Sequence, residues 1–380
     1  MLFTAPRLDE SETAVITEID DLRRRLNYAI GEPRRWQGQL RRNAFAKAIQ
    51  GSNTIEGINV TVDDAIAAVA DEEPQDATPE TWLEIRGYRE AMTYVLSLAK
   101  EAKFTYSCDT VKSLHFMMLN HDLPKDPGKW RPGAILVRNE QSGDIVYEGA
   151  PAELVPELMQ ELVDGLNRAD STPPMVRAAM AHLNLTMIHP FRDGNGRMAR
   201  CLQSLVLARS YGLSPVFSSI EEYLGRNTRD YYDVLALVGQ GKWHPERDAR
   251  PWIRFCLTAH FRQATTFLRR NERLGSIWGD LEMAAKRNGL HERVVHALAD
   301  AALGYRVRNP IYRKLADISP ALASRDLRAL VEGGFLIPVS AKRGRYYVAG
   351  PPLVAVRDAH PMQRIVPDPF TAHQPRLPGL

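Results

Sequence analysis

Cysteine is scarce in this chain. Its three cysteines, Cys108, Cys201 and Cys256, are widely scattered, and no pair has metal-ligand or redox spacing. That excludes a disulfide framework and fits a reducing compartment. Cys201 and Cys256 fall in apolar helical patterns and read as buried packing thiols. Long apolar runs are also missing: no stretch approaches the roughly eighteen residues that a membrane helix needs. The first ten residues carry acids early and have no apolar h-region, so no signal peptide is expected. A cytoplasmic location, with no membrane partner, is the expectation. Net charge is nearly absent, with 49 Lys and Arg against 46 Asp and Glu. Overall charge therefore gives no argument for nucleic acid, and any basic patch has to be local. No internal repeat is visible.

The sequence does have bulk and helical rhythm. Its 380 residues, 44% of them hydrophobic, suffice for two or three domains with a large core. Apolar residues recur at helical spacing from Asp9 to Ile30, then from a start at Pro33 through Leu40, Ala44, Ala48 and Ile49 to a stop at Gly57. Thr61-Val62-Asp63-Asp64 marks a helix start, an acidic loop follows from Asp71 to Thr78, and further helices are expected over Pro79–Lys100 and Asp109–Leu119. Leu123–Ala150 breaks the rhythm: Ala134–Val137 and Ile145–Tyr147 flank a polar loop and read as a β-hairpin. Such a hairpin is either a surface connector or a flap that grips an extended segment. Helices resume over Pro151–Leu166, Pro174–Ile188 and from Gly196 onward to about Gly289. Beyond Pro351 the proline-rich tail reads as disordered.

Chemistry concentrates in His189–Arg200. Gly194 and Gly196 bracket Asn195 just before a helix, so backbone N–H groups can turn toward an anion, reinforced by the helix dipole. Arg197 and Arg200 are three apart on one helix face and can clamp a di- or triphosphate. Asp193 beside them is a handle for Mg2+, which takes few protein ligands. His189 has the right chemistry to accept a proton near neutrality. Each part alone is weak, because a lone histidine is usually structural and Gly-Asn-Gly is often a simple turn. The specificity lies in finding all of them within twelve residues.

His189-Pro190-Phe191-Arg192-Asp193-Gly194-Asn195-Gly196-Arg197-Met198-Ala199-Arg200 resembles the Fic family motif, His-Pro-Phe-x-Asp/Glu-Gly-Asn-Gly-Arg-x-x-Arg, without departure. The likeness extends over roughly Arg7 to Gly289. It implies a mainly α Fic fold with a β-hairpin flap, and a protein adenylyltransferase that moves AMP from MgATP to a Ser, Thr or Tyr hydroxyl of a target protein. By this resemblance His189 is the base, Asp193 the Mg2+ ligand, and Gly194, Asn195 and Gly196 the anion nest. Arg197 binds the triphosphate, Arg200 its γ end, and Phe191 is a core anchor. A kinase relative has lysine where Gly196 stands, and other relatives transfer UMP or phosphocholine.

Ser52-Asn53-Thr54-Ile55-Glu56-Gly57 resembles the family's inhibitory motif, Ser/Thr-x-x-x-Glu-Gly/Asn. The resemblance implies that Glu56 pairs with Arg200 and misaligns ATP, and leaves open a second role in removing AMP. Read without it, Ser52, Glu56 and Gly57 are an ordinary polar helix end. The flap, 135–146, resembles the family's target-docking hairpin, where an extended segment adds to a free strand edge. Tyr231 and Tyr232 fall where relatives line the adenine pocket, with helical core packing as the alternative.

Residues 290–350 read as three helices and a basic-tipped hairpin and look like a winged helix. Arg325 and Arg328 on one helix, with Lys342, Arg343 and Arg345 on the hairpin, would suit DNA contact through 319–345. A protein-binding or packing module is the other reading. The expected organisation is an N-terminal helical region with the inhibitory helix (1–104), a catalytic core (105–245), a helical connector (246–289), the winged-helix-like domain (290–350) and a flexible tail (351–380). Homodimerisation is left open. The alternative of a different class is a winged-helix DNA-binding regulator whose Fic core only senses nucleotide. The base His189, which sensing does not need, weighs against it.

Overall fold

The computed structural model describes residues 1–31, 35–138, 143–211, 215–340, 344–363 and 365–373. The expected helix start at Pro33 lies outside these. The N-terminal region holds α1 (Glu10–Gly31), α2 (Gln37–Ile55), α3 (Val62–Val69) and α4 (Pro79–Leu98). Local chemistry sets their ends. The Thr61 and Thr78 side chains accept from the N–H groups of Asp64 and Thr81, and Pro79 opens α4 where no hydrogen bond is lost. After α2, Gly57 takes a left-handed φ of 74°, and Ile58 N–H returns to Asn53 O at 3.1 Å, closing the helix as a glycine C-cap does.

Next come α5 (Cys108–Leu119), the hairpin β1 (Leu136–Arg138) and β2 (Ile145–Glu148), then α6 (Val155–Asn167), α7 (Pro174–Ile188) and α8 (Asn195–Tyr211). The hairpin is antiparallel, pairing Leu136 with Glu148 and Val137 with Tyr147, and its register shifts before Arg138 pairs with Ile145. Its turn, 139–142, lies outside the described residues. The base of the hairpin is fixed to the helical body. Glu148 N–H donates to Gly241 O at 2.9 Å, and the Tyr147 hydroxyl to Met187 O at 3.0 Å.

Four helices follow: α9 (Pro215–Ser218), α10 (Glu221–Arg226), α11 (Thr228–Gly239) and α12 (Arg250–Arg287). The segment expected to be a connector is mostly α12. At 38 residues, about 57 Å of helix, it packs against α1, α2, α7, α11 and α13, so it is a central strut. The remaining elements are α13 (Val295–Ala302), α14 (Asn309–Ala316), α15 (Pro320–Glu332), the antiparallel pair β3 (Leu336–Val339) and β4 (Tyr346–Ala349), and α16 (Pro351–Ala359). Val307 adds an antiparallel bridge to Tyr347, so three helices and a small sheet do occupy 290–350. The fold class is mainly α with small hairpins. One apolar cluster runs from Phe3 through α12 to Leu353. Among the described residues no helix is long and apolar enough to cross a membrane.

Over 351–363 and 365–373 the expectation of a disordered tail is corrected, while 374–380 lie outside the described residues. Pro351 and Pro352 open α16, Leu353 is fully buried, and Phe370 packs on the core. Arg273 donates to His360 O at 2.6 Å, and Arg269 to Gln363 O at 3.0 Å and Ile365 O at 2.9 Å. Proline content suggested disorder, but proline in the first turn of a helix forfeits no bond, and α12 supplies the donors that the tail's carbonyls need.

Candidate functional site

Helices α7 and α8 pack side by side, and the loop 189–194 joins them. His189 caps α7 in the left-handed region, φ 55°, an uncommon conformation for a side-chain-bearing residue. Its surroundings hold it there. Arg131 donates through Nε to His189 O at 2.7 Å and through Nη2 to Ala150 O, while its own N–H donates to Pro190 O at 2.9 Å. A Cβ added to Gly149 would stand 2.7 Å from Ile135 Cγ2 and 3.1 Å from His189 Cβ. The flap base thus presses directly on the start of the motif. The His189 ring places Nδ1 3.2 Å from Thr186 O, which selects the tautomer with N–H on Nδ1 and leaves Nε2 its lone pair. Burial, and then the Arg131 charge, push the ring's pKa down to about 4, so it is neutral at pH 7.

Phe191 is fully buried, stacked on His115 at 3.6 Å between centroids and tilted against Trp130. Gly128 N–H donates to His115 Nδ1 at 2.8 Å, which leaves Nε2–H to donate to Asp193 O at 2.9 Å. Burial holds this ring neutral as well, with its pKa lowered to about 4. Asn195 closes the loop: its Oδ1 accepts from Phe191 N–H at 2.9 Å and its Nδ2 donates to Phe191 O at 3.0 Å.

The expected nest therefore changes in detail. The Asn195 side chain is internal, and Gly194 N–H is engaged by Asp193 Oδ1 at 2.6 Å. The N–H groups of Asn195, Gly196 and Arg197 take no hydrogen-bond acceptor among the described residues, and the first intrahelical bond is Met198 N–H to Gly194 O at 2.9 Å. Three adjacent unpaired donors at a helix head make a place for an anion. Asp193 meets Lys125 Nζ at 2.6 Å. Burial works to raise its pKa, but Lys125 outweighs that and holds the carboxylate below its ordinary range.

Both arginines are buried and already partnered. Arg200, 1% exposed, donates through Nε to Ser52 Oγ at 2.8 Å and through Nη2 to Ser52 O at 3.0 Å and Glu56 Oε1 at 2.6 Å. Its Nη1 has no partner among the described residues. Burial opposes its charge, yet Glu56 more than offsets this, so its pKa rises. The Glu56 carboxylate also lies over Gly196, where an added Cβ would come within 2.6 Å of Oε1. Ser52, Glu56, Gly196 and Arg200 are thus one cluster drawn from α2 and α8. Arg197 pairs with Glu84 of α4, whose other oxygen lies 3.3 Å from His121 Nε2 and 3.8 Å from Lys125 Nζ.

Glu84, Lys125, Arg131 and His115 are functional neighbours that sequence reasoning missed. No spacing signal links them to the motif; only packing does. Tyr231 and Tyr232 part company. Tyr231 is buried, its hydroxyl 3.0 Å from His182 Nε2 and its ring among Trp252 and Phe255, in the core. Tyr232 is half exposed and donates to Ile55 O at 2.9 Å, beside Glu56. Among the described residues no group of three His, Cys, Asp or Glu could hold a metal, so Asp193 stands as a single carboxylate beside free amides. That donor set fits a Mg2+ that keeps waters and is held mainly by phosphates.

On the C-terminal module Arg325 and Arg328 are exposed along α15. Lys342 and Arg343 lie outside the described residues, and Arg345 donates to Ser340 O. Three of the module's other basic residues meet the acidic segment after α3: Arg306 reaches Asp76 at 2.7 Å, Lys314 reaches Glu72 at 2.7 Å, and Arg308 donates to Glu73 O at 2.8 Å.

Comparison with known proteins agrees with this geometry. The Fic/DOC family matches residues 105–207, which span the flap, α7, the loop and most of α8. The chain is 29% identical over 256 residues to protein adenylyltransferase Fic of Nematostella vectensis, covering 66% of this chain and 55% of the relative. It is 31% identical to the Drosophila willistoni protein of the same name, covering 65% and 46%. The chain thus spans about half the length of the curated relatives it matches. A Fic family protein from Desulfovibrio desulfuricans aligns over 92% of this chain and 99% of that one, with a TM-score of 0.58 and 22% identity. Fic-1 from C. elegans aligns over 68% and 72%, with a TM-score of 0.55 and 23% identity. These two show a shared fold. The loop, its helical cradle and the family match agree, so residues 105–207 of this chain are similar to the Fic/DOC family over the segment that carries the site.

Proposed function

We propose that this chain is a protein adenylyltransferase that transfers AMP from MgATP to a Ser, Thr or Tyr hydroxyl of a target protein. The observation that carries the reading is the head of α8: three adjacent N–H groups without acceptors among the described residues, flanked by two buried arginines and by a neutral histidine whose Nε2 keeps its lone pair. The names of the Nematostella and Drosophila relatives support the same activity.

In this reading the target hydroxyl oxygen attacks the α-phosphorus while His189 Nε2 accepts its proton. The new O–P bond forms as the α–β anhydride bond breaks, and pyrophosphate leaves with the electron pair. The amides of Asn195, Gly196 and Arg197 offset charge on the phosphates, as do the guanidiniums of Arg197 and Arg200. Asp193 would hold Mg2+, which supplies charge neutralisation on the phosphates when bound. Lys125 gives up that carboxylate, and Glu84 gives up Arg197, when nucleotide enters. The exposed flap residues Leu136, Ile145 and Val146 offer the target an edge and an apolar face.

Glu56 is the brake. While it holds Arg200 and covers Gly196, the phosphate site is occupied by a carboxylate of the same charge as the ligand. A second role for Glu56 in AMP removal is left open by this reading. Incubation of the wild type, Glu56→Gly and His189→Ala with labelled ATP, Mg2+ and a bacterial lysate tests the assignment. Label transfer that requires His189 is the expected result. Sequence-specific DNA binding through Arg325 and Arg328 with no transfer would instead identify the nucleotide-sensing regulator.

A further inference from the structure

Helix α2 also turns Lys47 inward, about two and a half turns before Glu56. Its ammonium is mostly buried and borders a cavity of about 340 Å3 that Arg226, Arg269 and Arg270 also line, with Met362 and Gln363 of the tail as one wall. The carboxylate facing these cations is Glu222. Arg270 grips it bidentately at 2.5 and 2.6 Å, Arg226 meets it at 2.7 Å, and Lys47 is 4.0 Å away. Among the described residues Arg269 donates to the neutral carbonyls of Gln363 and Ile365. Four cations against one carboxylate leave three positive charges around a void of ligand size. Burial, then the neighbouring Arg270, push the Lys47 pKa down to about 8.

A purely structural ion pair would need one cation for Glu222, and Arg270 already satisfies it. Guanidinium forks beside an ammonium match phosphate oxygens rather than a carboxylate already in place. With the tail as one wall, the cavity is concave and of small-molecule size rather than a flat macromolecular surface. We propose that the cavity between α2, α10, α12 and the tail binds a small phosphate-bearing anion, held by Lys47, Arg226, Arg269 and Arg270. The site is separate from the head of α8, yet it touches the helix that carries Glu56. Helix α10 also packs so tightly on α2 that a Cβ on Gly225 would come within 2.5 Å of Gly51 Cα.

Isothermal titration of the full chain with inorganic pyrophosphate, and separately with inorganic phosphate, tests this, using wild type, Lys47→Met and Arg226→Gln. Binding of either anion to the wild type that weakens about tenfold or more in each variant is expected, since each removes one charge-assisted contact. The two anions distinguish a diphosphate ligand from a monophosphate one. Anion binding that is equal in all three proteins places the anion elsewhere and overturns the proposal, as does the lack of any binding to the wild type. Should Lys47→Met fail to fold, Arg226→Gln decides, because the Arg226 side chain is 61% exposed and its loss leaves the core intact.

Discussion

Replacing Glu56 by glycine perturbs stability and activity in opposite directions, and the structure sets the size of both. Arg200 is 1% exposed and Glu56 22%, with 2.6 Å between Nη2 and Oε1. A charge-assisted hydrogen bond between mostly buried groups is worth about 1.5–3 kcal/mol. Its loss leaves the guanidinium with its two bonds to Ser52 and no anionic partner. Urea unfolding of Glu56→Gly should therefore show a loss of about 2 kcal/mol. A triphosphate that must displace Glu56 from Arg200 faces the same free energy as a competitor, and about 2 kcal/mol corresponds to roughly 30-fold in apparent affinity. At ATP concentrations below saturation, labelled AMP transfer by Glu56→Gly should rise by about 30-fold, and Glu56→Gln should fall between the two proteins. The reasoning is refuted if the variant loses stability as expected while its transfer rate stays within about twofold of wild type. The pair would then be only a structural contact.

Four further outcomes follow from the geometry. The His189 pKa of about 4 means that the base is neutral through the physiological range, so kcat/KM for transfer should hold to below pH 5 and fall near pH 4; an acid limb centred near 6.5 would contradict it. His115, His182, His189 and His260 are all lowered from 6.5 by burial, so between pH 6.5 and about 4 the unfolded chain binds more protons than the folded one and stability falls as pH falls. Glu221, raised to about 7 by burial, acts in the opposite direction between 4.5 and 7, but the buried histidines outnumber it. Urea midpoints at pH 5, 6 and 7 check this, each uncompensated proton contributing up to about 1.4 kcal/mol per pH unit. Gly149→Ala should cut transfer at least tenfold by forcing His189 from its place, with near-normal ATP binding, because the new Cβ meets Ile135 and His189 rather than the nest; equilibrium nucleotide binding beside the rate assay separates the two. Leu353→Ala should cost about 2–4 kcal/mol by urea unfolding, since its side chain is fully buried under the tail helix.

The sequence by itself determined what depends on contiguous backbone. The glycine-bracketed turn before α8, the helix start at Thr61 and the stop at Gly57 all rest on bonds that close within a few residues, so spacing reveals them. The same locality made His189–Arg200 legible as a phosphate site. Only the tertiary structure decided how these charges are partnered. Glu84 meets Arg197 from 113 residues away, Lys125 reaches Asp193 from the turn after α5, and Tyr231 points into the core while its neighbour Tyr232 touches α2. The tail shows the same limit, because its order comes from arginines of α12 that meet carbonyls some ninety residues later. Long-range ion pairs and docked segments leave no periodic trace in the chain, because their geometry is fixed by which helix faces pack together and not by any local conformational preference.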